Sequence, residues 1–309
     1  MKLPFLAAAT SMFIGSSLWA DEEKKPEPET TPKIEEKAEK KPAATEPDVL
    51  AQALVEAKRG DFTAAMLMVE AELKENPSIE ACSLYVKICR AMDFFPGMMH
   101  GITEWLKLEP EKAALYKLRG EVHFFDGDFK ESVADFDTFL KAEPDKLPQL
   151  WQLGMSLYCL KDYDRGRAQF EEHQKVNAGD VENAVWHYLC VARLEGVEAA
   201  EEALYPYAGD RRGWAKEIHD LYAGSGTPES VIKAAEAAEN GAEKSARLSY
   251  SHFYLGLHDE VHGKEREALV HYRLAFEATQ LVEDAMQQRI SSYMKQAIKV
   301  LYEDRQPSK

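Results

Sequence analysis

The chain has 309 residues, 45% hydrophobic and 30% charged, with four cysteines and a formal net charge of −16. So large an excess of acid disfavours nucleic acid as a partner, because phosphate contacts need a basic face. It places no such restriction on protein partners.

Lys2 gives a positive start to an apolar or small stretch over residues 3–18, which includes Phe5, Leu6, Met12, Phe13 and Ile14. This pattern predicts a secretory signal peptide over residues 1–20, with cleavage after the small Ala20 and a mature chain starting at Asp21. An uncleaved anchor is the competing reading, since about 18 residues approaches the length that spans a bilayer. Pro4 and the Ser, Thr and Gly positions weigh against it. No Cys lies near the cleavage point, so lipid attachment there is not expected, and nothing downstream reads as a second span. The expected location is the bacterial periplasm or the outside of the cell.

Residues 21–47 hold five prolines among many Lys and Glu, with Ile34 almost alone as a large apolar residue. Too little surface can be buried there to fold, so a disordered Lys/Glu/Pro linker is expected. Lys2 gives the signal +1, and nine acids against six lysines give the linker −3, which leaves −14 on residues 48–309.

Internal repetition dominates this remainder. Pro77, Pro110 and Pro144 follow one another at spacings of 33 and 34 residues. Ahead of Pro144 stand Gly120, Gly127-Asp128-Phe129, Ser132 and Phe136; 34 residues on come Gly154, Lys161-Asp162-Tyr163, Gly166 and Phe170. The first unit has Ala53, Gly60-Asp61-Phe62, Ala65, Val69 and Pro77 in the same order, and a late one has Gly256, Gly263, Ala268, Tyr272 and Ala275. Period and residues resemble the tetratricopeptide repeat, in which small side chains let two antiparallel helices approach and neighbouring pairs must stack to cover their apolar faces. The fold expected is all-α, a right-handed superhelical array of helix-turn-helix repeats. Four repeats occupy 48–180. An irregular helical section follows over 181–248, where Pro206 and Gly224-Ser225-Gly226 break the register. A C-terminal repeat plus a packing helix, from about 282 to 302, fills 249–303, and 304–309 is a tail.

Enzymatic signatures are sparse: the sequence has no Gly-rich phosphate loop, no G-x-S-x-G and no C-x-x-C. His258-Asp259-Glu260-Val261-His262 matches H-D-x-x-H, two histidines one turn apart as zinc requires. Asp259 is shorter than the Glu that acts as base in metalloproteases, and the spacing places neither His252 nor His271 as a third ligand. The register also explains His262 as a helix-end residue favoured by the dipole. Neither metal nor cofactor is therefore expected, nor catalysis. Cys82 and Cys89 lie about 10.5 Å apart along one helix, too far for a disulfide. Cys159 and Cys190 fall on successive first helices, where pairing is left open. All four read most simply as small buried hydrophobes.

In such arrays the first helices line a concave face. Transferring the register puts Lys117, Glu121 and Phe124 of the third repeat and Trp151, Met155 and Tyr158 of the fourth on that face, as a candidate protein-binding groove. The alternative places Trp151 in the seam between helices. Leu50 and Leu54 replace the Lys and Asn of the carboxylate clamp found in chaperone co-factor repeats.

The runs AVWHYLCVARLEGVEAAEEALYPY, GWAKEIHDLYAG and SHFYLGLHDEVHGKEREALVHYRLAFEA resemble the C-terminal half of the NlpI family of bacterial envelope repeat proteins. Trp186 and Trp214 in the irregular section are the most specific part of the match, which extends over roughly 48–302. The resemblance implies a periplasmic, homodimeric scaffold that binds peptidoglycan hydrolases and a processing protease. The linker and the missing Cys depart from that family's lipid anchor. The other function that the repeats fit is a structural or assembly subunit of an outer-membrane or secretion complex.

Overall fold

The computed structural model describes residues 48–283 and 292–305; the predicted signal peptide, the linker and most of the tail lie outside the described residues. Among the described residues are fifteen α-helices, one short 3-10 segment and no strand. The fold is an all-α repeat array. Its first eight helices form four antiparallel pairs: α1 (Val49–Arg59) with α2 (Phe62–Glu75), α3 (Ile79–Ala91) with α4 (Phe95–Leu108), α5 (Ala113–Asp126) with α6 (Phe129–Ala142), and α7 (Trp151–Cys159) with α8 (Tyr163–Gln174).

Local chemistry sets the ends of these helices. Asp48, Asp61 and Ser78 accept hydrogen bonds from the backbone N–H groups of Leu50, Ala64 and Ala81 at 3.0, 3.0 and 3.2 Å, satisfying donors the first turn leaves open. Between the helices of each pair one residue turns the chain through the left-handed region. Gly60 and Gly127 serve in two pairs and the non-glycines Asp93 and Lys161, at φ 51° and 63°, in the others.

Small residues then bring the helices together. A Cβ at Gly120 would lie 3.1 Å from the Phe136 ring and one at Gly154 only 2.6 Å from Phe170. The second pair inverts this device. It has Val86 where the first pair carries Ala53 and the third and fourth carry Gly, and the room comes from α4 instead: a Cβ at Gly101 would meet Val86 at 2.8 Å, and one at Gly97 would meet Cys89 Sγ at 2.6 Å.

The irregular section comprises α9 (Val181–Glu195), α10 (Val197–Ala203), a non-helical stretch to Trp214, α11 (Ala215–Tyr222) and α12 (Pro228–Glu236). Arg212 anchors it. Its guanidinium reaches Asp180 at 2.5 Å, pairs with Glu182 and Asp210, and lies 4.7 Å above the Trp214 ring. Trp214 stacks in turn on Tyr250 at 4.8 Å. The two tryptophans of the irregular section are both buried in the main core cluster.

The last pair is α13 (Gly241–Val261) with α14 (Glu265–Glu283), followed by α15 (Ser292–Asp304). The first helix of this pair starts at Gly241, where Asn240 caps it through the Glu243 N–H at 2.8 Å, and its Tyr250 packs on Trp214. The second helix runs to Glu283 and the terminal packing helix is described over Ser292–Asp304, while residues 284–291 of the expected 282–302 helix lie outside the described residues. All four cysteines are free thiols, with Cys82, Cys89 and Cys190 buried and Cys159 half-buried.

Candidate protein-binding groove

The first helices α5 and α7 carry the residues that the register assigned to the concave face. Lys117 Nζ lies 2.6 Å from Glu121 Oε1, and Arg90 of the preceding repeat reaches Glu121 Oε2 at 3.0 Å. The Glu121 carboxylate is thus held between two cations although the residue is only 4% exposed. Phe124 is fully buried, with Phe129 and Phe125 at ring-centroid distances of 5.7 and 6.1 Å. Trp151 is half-buried and Met155 buried. Tyr158, 3% exposed, packs against Tyr163 and Trp186, each at 5.3 Å, and its hydroxyl accepts from Arg193 Nε at 3.5 Å.

The covering element is α15. Tyr293 wedges between Phe125 at 4.5 Å, Trp151 at 5.1 Å and Phe124 at 5.8 Å. Burial, followed by the charge of Glu121, pushes its phenol well above the ordinary tyrosine range. At the other end of the helix Arg305 donates to Glu260 at 2.7 and 3.0 Å, and its guanidinium lies 5.3 Å from the Tyr272 ring. Arg193 and Tyr272 also donate to Glu260. Burial works against that charge, but the Arg305, Tyr272 and Arg193 donors outweigh it and hold the carboxyl below its usual range. Beside this node Tyr158, Lys161, Leu301 and Asp304 help to line a cavity of about 180 Å³.

Of the six residues assigned to the groove, Lys117 pairs with Glu121, Phe124 and Trp151 both meet Tyr293, and Tyr158 packs on Tyr163 and Trp186. Lys117, its side chain 40% exposed, forms the rim, while Phe124, Met155 and Tyr158 form the floor. Sequence reasoning missed Arg90, Phe125, Gln152, Arg193, Glu260 and Tyr293. The apolar spacing Tyr293, Met294, Ala297, Ile298, Leu301 marks an amphipathic helix, but nothing local tells which surface it covers.

The H-D-x-x-H run follows a different logic. The His258 and His262 rings stack at 4.0 Å, and His262 Nδ1 lies 2.7 Å from the His258 carbonyl. Burial and the neighbouring His262 push His258 down to about 3. His252 and His271 contact each other through their Nδ1 atoms at 2.9 Å, and Glu260 points to the arginines. Among the described residues no group of three or more His, Cys, Asp or Glu is arranged to hold a metal ion.

These hairpins, their register and the stacked array define a tetratricopeptide-repeat protein. The structure matches that of a tetratricopeptide repeat protein from Parabacteroides merdae ATCC 43184 with a TM-score of 0.53 at 14% identity, over 82% of this chain and 96% of that one. In sequence the chain resembles the lipoprotein NlpI homolog of Haemophilus influenzae, with 24% identity over 178 residues, 57% of each protein. It is also 29% identical over 95 residues to the protein SGT1 homolog of Bos taurus, 31% of this chain and 28% of that one. The chain thus spans only part of the length of the curated relatives it matches. No family model matches it.

Proposed function

We propose that this protein is a non-catalytic scaffold of the bacterial cell envelope that holds other envelope proteins, peptidoglycan hydrolases or a processing protease among them, on the inner face of its repeats. The observation that carries this reading is the composition of that face. A floor of Phe124, Met155 and Tyr158 joins a half-buried Trp151, and a rim of Arg90, Lys117 and Glu121 supplies oriented charge. Buried aromatic anchors surrounded by arginine and polar groups are the pattern that dominates binding energy at protein interfaces. The signal-like N-terminal sequence and the similarity to an NlpI homolog support the location. Among the described residues no helix is long and apolar enough to cross a membrane.

The test is capture of partners from an envelope extract by the immobilised protein, with identification by mass spectrometry and a salt and dilution series. Hydrolases or a protease that exchange on dilution are the expected result. A single protein bound at fixed stoichiometry, resistant to dilution, would instead define a structural subunit and overturn the adaptor reading.

A further inference from the structure

The apolar face of α15, Tyr293, Met294, Ala297, Ile298 and Leu301, is buried in the main core, yet the bed beneath it is not wholly apolar. Besides the aromatic box around Tyr293 it contains Glu121, Gln152, Arg193 and Glu260, polar groups that α15 covers or contacts. Exchangeable contacts within a chain are more polar than obligate ones. The two anchors of α15, Tyr293 and Arg305, are about 18 Å apart along the helix at 1.5 Å per residue. Between them Val300 lies against the turn at Gly127 and Lys299 faces the charge of Asp126. Residues 292–309 carry four cations (Lys295, Lys299, Arg305, Lys309) against two acidic side chains (Glu303, Asp304), opposite in sign to the chain as a whole. At the Arg305 end the fit is incomplete, since the cavity of about 180 Å³ remains beside Glu260.

We infer that α15 is the resident occupant of a helix-binding groove: the face built by α5, α7, α9, α13 and α14 takes an amphipathic helix with an aromatic residue in its first turn and a guanidinium three turns on, and α15 competes with such partners for it. This rests on the inner face being the binding surface. An occupant in cis reduces the apparent affinity for a partner by the fraction of molecules in which the groove is open. Loosening α15 must therefore strengthen binding in trans.

The assay is fluorescence anisotropy with a labelled synthetic peptide of residues 292–309, using the full chain as wild type and as the Tyr293→Ala/Arg305→Ala variant. The variant is expected to bind the peptide at least tenfold more tightly than wild type, and a peptide carrying the same two substitutions is expected to lose that binding. Equal affinity for both proteins, or no binding to a variant that circular dichroism shows to be folded, overturns the inference. Should the double variant fail to fold, Arg305→Gln alone decides: a threefold gain supports competition, and an unchanged affinity refutes it. An inert peptide together with captured hydrolases would refute a displaceable α15 and leave the scaffold standing. Peptide binding without captured envelope proteins would leave the groove and refute the envelope role.

Discussion

Gly154→Ala tests the packing on which the array depends. The new methyl would sit 2.5 Å from Gln169 Oε1 and 2.6 and 2.9 Å from two carbons of the Phe170 ring. Neither neighbour can yield cheaply. Phe170 is 1% exposed and stacked on Trp186, while Gln169 is 2% exposed and donates to the Leu147 carbonyl at 3.3 Å. Alanine gains about 1 kcal/mol of helix propensity over glycine, whereas overpacking a tight site costs about 1–3 kcal/mol and more when nothing moves. The steric term wins here, because the overlap is deep and both neighbours are fixed, and the net loss should be about 2 kcal/mol. For an array of this size that lowers the melting temperature by roughly 4–8 °C. Gly241→Ala is the control: a Cβ there meets nothing within 4 Å, so stability should hold or rise slightly. Melting followed by circular dichroism on both variants decides. A Gly154→Ala protein that melts within about 1 °C of wild type would refute the close helix approach in the fourth repeat.

Arg212→Ala leaves Asp180, Glu182 and Asp210 facing one another without their shared cation, and should cost about 3–5 kcal/mol in urea unfolding; a loss below about 1 kcal/mol would show that the clamp is ornamental. Burial lowers His252 to about 4 and His258 to about 3 in the folded protein. Between the ordinary histidine range and those values the unfolded chain binds protons that the folded chain refuses. Their contribution is therefore present in full above pH about 6.5 and is lost as pH falls, by at most about 1.4 kcal/mol per pH unit for each histidine. A melting temperature that rises between pH 7 and pH 5, or an unchanged slope in His258→Asn, would contradict this. N-terminal sequencing of exported protein should begin at Asp21, and retention of Met1 would rule out the proposed cleavage.

The repeats are legible in the sequence because the residues that build each hairpin are local. Gly60 and Gly127 turn the chain, and Gly120 and Gly154 admit the partner helix, all at fixed offsets. The second repeat is harder to read, since Val86 stands where the small residue belongs and Gly97 and Gly101 compensate from the opposite helix. Lys161 and Asp93 adopt the same left-handed turn without glycine, so composition alone understates the pattern. For the candidate groove, register assigns Lys117, Glu121, Phe124, Trp151, Met155 and Tyr158 to one face, and the structure shows Phe124, Met155 and Tyr158 buried and Tyr293 against Phe124 and Trp151. Their cover was not legible. Tyr293 and Arg305 meet Phe125 and Glu260 only through tertiary packing, and an amphipathic stripe states that a helix must bury a face without naming the surface that receives it. The Arg212 clamp was hidden for the same reason, its partners Asp180 and Glu182 coming from another element.

Whether partners are held on the inner face of the repeats is decided by a photo-crosslinking amino acid placed in living cells at either of two positions. Lys117 lies on the rim of that face with its side chain 40% exposed. Leu67 on α2 is 56% exposed and lies outside the groove. Irradiation should join the Lys117 protein to a peptidoglycan hydrolase or a processing protease and leave the Leu67 protein without such an adduct. Capture of those partners from Leu67 while Lys117 stays silent would contradict the account.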